Sequence, residues 1–206
     1  MNKEKGKNKK GIILIISGII LTIISLSINI YNGYLEYNAG KKSNDVLNTL
    51  KENLSNNLDN QELIQYEENN NIEMKTINID GYNYIGSIII PKLNLELPIM
   101  DQYDYERLNI APCLYYGSIY TNDLIICAHS YKTHFGYLSN LEQGDNIIIS
   151  LVDGNSYIYE VLEIEILAST DVSKMIDNDF DLTLYTCTSD GMNRITIRCN
   201  KINKTI

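Results

Sequence analysis

Histidine is scarce in this chain: only two occur in 206 residues, His129 and His134. Cysteine is little more frequent, at four. No two cysteines stand as Cys-x-x-Cys and the histidines do not form His-x-x-x-His, so the spacings that hold zinc are missing. No acidic loop has the spacing of a calcium site either, and neither a metal nor another cofactor is expected. A clustered basic surface is also lacking. The net charge is −9 and the first ten residues contribute +4, which leaves −13 on the remainder. That balance argues against nucleic acid as a partner, since phosphate binding needs grouped cations. There is no internal repeat, and no charged side chain lies between Gly11 and Ile30.

The uncharged run 11–30 would span ~30 Å as a helix, about the thickness of a bilayer core, and reads as one transmembrane segment. Lys3, Lys5, Lys7, Lys9 and Lys10 precede it against Glu4 alone. The positive-inside rule therefore puts the amino terminus in the cytoplasm and the rest outside. The alternative is a cleaved signal peptide, whose apolar region usually has about 7–15 residues; only the weak site Asn38-Ala39-Gly40 follows here. The expected organisation is a cytoplasmic tail at 1–10, an anchor at 11–30, a partly helical stalk at 31–75 and one domain at 76–206. In the stalk, Leu47, Leu50, Leu54 and Leu58 repeat at helical spacing before the Asn- and Glu-rich stretch around Tyr66 to Asn71. A solvated amphipathic spacer is the plainer reading of that stripe; docking on the domain or pairing with another copy is the alternative.

The domain is expected to be all-β. Seven strands are indicated, at Tyr84 to Ile90, Leu93 to Met100, Asp123 to Ala128, Asn146 to Val152, Tyr157 to Leu167, Asp181 to Thr186 and Arg194 to Asn200. Gly117, Gly144-Asp145 and Asp153-Gly154 punctuate them. Short helices are expected at Asp104 to Leu108, His134 to Leu138 and Asp171 to Ile176. This pattern suggests a barrel or sandwich.

Thr183-Leu184-Tyr185-Thr186-Cys187 ends one strand, and Arg194 opens the next seven residues later. Asp190-Gly191 in the connection is a strong hairpin-turn dipeptide, so the two strands are expected to pair with Cys187 facing Arg194 at one sheet end. A thiol, an imidazole and a guanidinium together suit acyl transfer. A free thiol has a pKa of ~8.5, and nearby cations favour the thiolate that attacks carbonyls. Arginine can donate to a developing oxyanion, where one donor is worth ~100 to 1000-fold in rate. His129, at the end of an apolar strand, would pass protons between the leaving and incoming amines; His134 is the competitor. Arg198 competes with Arg194, on the same strand face but further from the turn. Asp171 or Asp190 could orient the imidazole. Cys127 and Cys199 read as core residues, Cys113 is undetermined, and an even cysteine count outside the cell leaves disulfides open.

Ile125-Ile126-Cys127-Ala128-His129, then Phe135, Leu138, Leu141 and Gly144-Asp145, then Thr183 to Cys187 with Arg194, resemble the sortases, cysteine transpeptidases of Gram-positive surfaces. Gly86 to Leu93 and Leu97-Pro98-Ile99 are similar to that family's opening strands, so the resemblance covers roughly 77–201. It implies a closed β-barrel of about seven to eight strands with short helices after the transmembrane helix. It also implies cleavage of an LPxTG-like sorting signal after Thr through a Cys thioester, with catalytic Cys187, His129 and Arg194. Partners would be surface proteins carrying that C-terminal signal and an amine of a peptidoglycan precursor or a pilin, at the plasma membrane.

Ala128 where many members have Gly, and the short Cys-to-Arg spacing, depart from the pattern. The Thr-Cys-Thr start and the Arg-Ile-Thr-Ile-Arg strand look most like class D or related clostridial enzymes. Ile110, Ala111, Tyr115, Tyr116 and Thr186, with the 168–180 segment, are the candidates for lining a peptide groove. Two other cysteine enzymes of the wall fit less well: L,D-transpeptidases place Arg two residues after the Cys, and peptidoglycan endopeptidases place Cys before His. A membrane-anchored β-domain that only binds a partner is the non-enzymatic alternative.

Overall fold

The computed structural model describes the backbone of residues 4–59 and 73–202, with the side chains of 9–55 in the first stretch. The side chain of Leu58, the stretch Tyr66 to Asn71 and the side chains of the basic tail up to Asn8 lie outside the described residues. Helix α1 runs Glu4–Asp59. Two compact units divide the chain between Asn38 and Ala39. In the first, the apolar side chains from Ile12 to Ile30 are all exposed, and the helix is long and apolar enough to cross a membrane.

The second unit contains nine strands: β1 (Ile77–Ile79), β2 (Tyr82–Ile90), β3 (Leu95–Met100), β4 (Cys113–Tyr116), β5 (Leu124–Cys127), β6 (Asn146–Leu151), β7 (Ser156–Ala168), β8 (Leu182–Cys187) and β9 (Asn193–Lys201). They form one sheet in the order β1-β2-β3-β4-β5-β8-β9-β7-β6, closed by pairing of β2 with β6. Eight strands make the barrel and β1 is an added edge on β2. All seven strands expected from the sequence are present; β1 and β4 are additional. The two short helices α2 (Tyr105–Leu108) and α3 (Val172–Ile176) lie where expected. The expected helix at His134 to Leu138 is instead a set of turns followed by a 3-10 turn at Leu138–Asn140. The amides of His134 and Gly136 both donate to the Tyr131 carbonyl, at 2.9 and 2.8 Å, turns of three and five residues in place of the four-residue spacing of an α-helix.

Closure requires a glycine. Gly86 sits at the β2 bulge with φ of 156°, and a Cβ there would lie 2.0 Å from the Ser150 carbonyl of β6. Alternation then fills the interior: Ile147, Ile149 and Leu151 of β6 join Leu182 and Leu184 of β8 and Ile197 and Cys199 of β9 in the core. Strands β8 and β9 are buried on their outer side too, at Thr183, Thr196 and Arg198.

A solvated spacer is not what the structure gives for the leucine stripe. Within the second unit, Ala39, Ser43, Val46, Leu47 and Leu50 of α1 are buried. Val46 and Leu50 pack with Ile79, Tyr84, Met100, Leu108 and Ala111 on the outside of the barrel. The apolar stripe removes more surface from water by docking than a free helix could. His134 is buried close by, where the carbonyls of Ala39 and Ile110 face its ring, and burial pushes its pKa down to about 4.

Leu50 is 1% exposed, so Leu50→Ala is expected to cost about 2–5 kcal/mol in chemical denaturation of this unit. The lowered His134 pKa makes a second prediction. The unfolded chain binds a proton on this residue near the ordinary pKa of ~6.5 and the folded one only near 4, so stability falls as pH drops through that window. Denaturation at pH 7 and pH 4 should show a loss of about 3 kcal/mol from this residue, absent in His134→Gln.

Candidate active site

Strand β8 is paired on both sides. Against β9 it is antiparallel, with Cα partners Tyr185↔Thr196, Thr186↔Ile195 and Cys187↔Arg194. Partnered residues share a face, so the Cys187 and Arg194 side chains leave the sheet side by side, both half-buried. The turn between them is held by the Thr188 amide on the Asn193 carbonyl at 3.0 Å and the Gly191 amide on the Thr188 carbonyl at 2.8 Å. Gly191 has φ of 72°, a conformation that suits glycine. The Arg194 guanidinium donates to the carbonyls of Gly191 and Asn193 at 3.2 and 3.0 Å.

Against β5, strand β8 is parallel, and its last paired position is Cys127↔Tyr185. The Ala128 amide still donates to the Tyr185 carbonyl at 3.3 Å. The Thr186 hydroxyl donates back to the Ala128 carbonyl at 2.8 Å. Two residues beyond Cys127 and two beyond Tyr185 stand His129 and Cys187, so the same register carries both to one end of the barrel. The His129 carbonyl accepts from the amide of the core residue Phe135 at 3.1 Å, which fixes the chain as it leaves the strand.

The His129 ring is enclosed by groups that the sequence did not single out. Its Nε2 lies 3.2 Å from the Asn109 side-chain oxygen. Tyr105 meets it edge-on with centroids 5.8 Å apart, and Tyr131 lies at 4.8 Å. Burial lowers the His129 pKa below its ordinary value. Helix α2 delivers Asn109 and Tyr105: Asp104 caps its start by accepting from the Arg107 amide at 2.7 Å, and Asn109 closes its end. The acids proposed from sequence are engaged elsewhere, Asp171 with Lys174 at 3.1 Å and Asp190 with Thr188 and the Met192 amide. The sequence signal for Asn109 is its place as the polar residue ending the short Asp104 to Leu108 helix.

A cavity of about 190 Å³ adjoins Arg194, lined by Tyr103, Tyr115, Tyr185, Met175, Val172 and Asp171 among others. Its three tyrosines meet edge-on, with Tyr115 5.5 Å from Tyr103 and 5.3 Å from Tyr185. Burial raises the Tyr103 pKa, with Cys127, Tyr115 and Cys187 adding to the effect and Arg194 opposing it. Of the groove candidates, Tyr115 lines this cavity. Ile110 lines a separate one of about 310 Å³ with Lys42, Asp45 and Tyr82 of the helix-docking side. Ala111 and Thr186 are buried, so neither side chain is open to a peptide, and Tyr116 is exposed at 44%. Arg198 is 2% exposed and bound to Glu165, Thr183 and two carbonyls, opposite Thr183 and four rungs from Cys187. Cys113, Cys127, Cys187 and Cys199 are all unpaired by disulfides, and burial pushes Cys127 up to about 12. Among the described residues no group of three or more metal-ligating side chains converges.

A half-buried thiol in register with an arginine, with an imidazole carried to the same end of a closed barrel, has the layout of a cysteine acyl-transfer enzyme. The sequence comparison gives the family: a model of the sortase domain matches residues 88–202, more than half of the chain, and the protein belongs to the sortase family. Among solved structures, sortase A from Corynebacterium diphtheriae is similar at 26% identity and a TM-score of 0.53, over 60% of this chain and 63% of that one. Sortase C1 from Streptococcus agalactiae is similar at 25% identity and a TM-score of 0.54, over 62% and 72%. Sortase C from Streptococcus pneumoniae, at 24% identity and a TM-score of 0.53 over 60% and 70%, shares the fold. The chain thus spans less than two thirds of the first of these structures. No curated protein matches the sequence.

Asn109→Ala removes the hydrogen-bond partner of His129 Nε2. A net hydrogen bond is worth about 0.5–1.5 kcal/mol, so kcat for acyl transfer should fall about two- to tenfold with unchanged thermal stability. An unaltered rate would remove Asn109 from the site.

Proposed function

We propose that this chain is a membrane-anchored transpeptidase that cleaves an LPxTG-like sorting signal after its Thr and transfers the acyl group to an amine of the cell wall. The observation that carries this reading is the pairing Cys187↔Arg194 together with the Thr186-to-Ala128 bond beside His129. The Cys187 thiolate attacks the Thr carbonyl carbon, a C–S bond forms, and the oxygen takes up the negative charge facing the Arg194 guanidinium. The C–N bond breaks as His129 gives its proton to the leaving amine. An incoming amine then attacks the thioester, His129 takes the surplus proton, and the C–S bond breaks to return the thiolate. Water in place of the amine gives hydrolysis.

For this exchange Arg194 must release the Gly191 and Asn193 carbonyls in favour of the substrate oxygen, a rotation at the side-chain end only. The fully engaged Arg198 would have to abandon four hydrogen bonds, which favours Arg194 for the role. Burial of His129 disfavours the imidazolium, so the acid needed for amine departure is formed most readily once a thiolate or oxyanion stands beside it. The apolar stretch 11–30 acts as the anchor, with the five lysines before it inside and the barrel outside. The donors are surface proteins with a C-terminal sorting signal, and the acceptor is a peptidoglycan precursor or a pilin amine.

Incubating the chain with LPxTG-like peptides and an amine acceptor should yield the Thr-linked amide product. Cys187→Ala should abolish it, and Arg194→Ala should lower kcat/KM about 100 to 1000-fold. Product formation by Cys187→Ala would sink the reading.

A further inference from the structure

Among the described residues, Arg198 is the only lysine or arginine that is buried. It projects from the outer face of β9, where α3 covers the sheet. Its Nε donates to Glu165 of β7 at 2.8 Å, and Nη1 donates to the Thr183 hydroxyl of β8 at 2.9 Å. The remaining bonds leave the sheet: Nη1 to the Met175 carbonyl at 3.2 Å and Nη2 to the Lys174 carbonyl at 2.7 Å. Those carbonyls belong to the last turn of α3, where a helix has no internal partner for them and where a cation is favoured. Phe180 completes the enclosure with its ring 5.8 Å from the guanidinium carbon.

The segment held in this way is a wall of the cavity beside Arg194. Asp171, Val172 and Met175 line it together with Tyr103, Tyr115 and Tyr185. Among the described residues, the hydrogen bonds that tie 172–180 to the barrel strands are those of Arg198; the others within that stretch are local. Met175 adds packing in a cluster with Ile125 and Leu167, on which Tyr115 and Tyr185 also pack. The place of α3 at this cavity is thus held by a buried side chain that does not itself line it.

We propose that Arg198 is a positioning residue for the donor peptide: it clamps the carbonyl end of α3 to β7, β8 and β9 and so holds the cavity beside Arg194 at the width that binds the peptide. The inference rests on the transpeptidase reading for its substrate, and on the geometry alone for the clamp. Losing the guanidinium frees two helix-end carbonyls and lets the wall drift from the tyrosines, which weakens peptide binding. Cys187, His129 and Arg194 are held by separate bonds and keep their register.

The test uses the full chain in detergent micelles and the variants Arg198→Lys and Arg198→Met. KM for an LPxTG-like peptide should rise about tenfold or more while kcat stays within about threefold, the mark of lost binding rather than lost chemistry. The rate of Cys187 alkylation by iodoacetamide should not change. Amide hydrogen exchange at 173–177 should quicken at least about tenfold in both variants, a readout independent of the reaction. Thr183→Val, which removes one bond and keeps the charge, should show a smaller shift in the same direction and serves if the Arg198 variants do not fold. An unchanged KM with kcat falling in step with the folded fraction, or unchanged exchange at 173–177, would overturn the proposal. A wild-type chain inactive on every peptide, with the exchange difference present, would instead overturn the transpeptidase reading and leave the clamp standing.

Discussion

The pairing of β8 with β5 on one side and β9 on the other decides where Cys187 points and what stands next to it. A one-residue slip of β8 would turn the thiol into the barrel and expose Leu182 and Leu184. Both faces of the strand oppose such a slip. Inside, the two leucines pack with Ile126, Ile197 and Cys199. Outside, the Thr183 hydroxyl accepts from Arg198; on the inner side, beyond the leucines, the Thr186 hydroxyl donates to the Ala128 carbonyl. The site inherits its geometry from that agreement between apolar and polar constraints.

Coverings on the outside of the barrel do the rest. Residues 39–54 of α1 bury Val46 and Leu50 over Tyr84, Met100 and Leu108, and α3 buries Met175 over Ile125 and Leu167. His129 and Cys187 lie at the strand ends, with α2 bringing Tyr105 and Asn109 over the imidazole. Water is partly excluded there, which makes His129 less basic and strengthens any hydrogen bond the site offers to a developing charge.

Much of the barrel is legible in the sequence because its long strands alternate or end in glycine-bearing turns. The pairing of Cys187 with Arg194 follows from the Asp190-Gly191 turn and the seven-residue spacing alone. Strands β1 and β4 are not legible, since three or four residues are too few to show a period and β4 meets β3 at a single pair, Met100↔Cys113. The leucine stripe of α1 shows its apolar face but not its partner, because Ile79, Tyr84, Met100 and Leu108 come together only once the barrel closes. For the same reason Tyr103 and Tyr105 give no local sign of their place at the site, and Asn109 shows only that it ends a short helix. Ala111 and Thr186 illustrate the converse: strand alternation turns Thr186 into the protein, and Ala111, in the bend before β4, is buried in the cluster under α1.

Arg194 and Arg198 show how position rather than residue type divides the work. One stands at the barrel rim with its guanidinium on two turn carbonyls; the other is enclosed by a carboxylate, a hydroxyl and a helix end. Of the four cysteines only Cys187 is not buried, and it is the proposed carrier of the acyl group. The most direct test of that role is peptide mapping by mass spectrometry of the chain incubated with an LPxTG-like peptide without an amine acceptor. A thioester on Cys187 with Cys113, Cys127 and Cys199 unmodified is expected; an acyl group on any of those three, or one that persists in Cys187→Ala, would contradict the proposed role of Cys187.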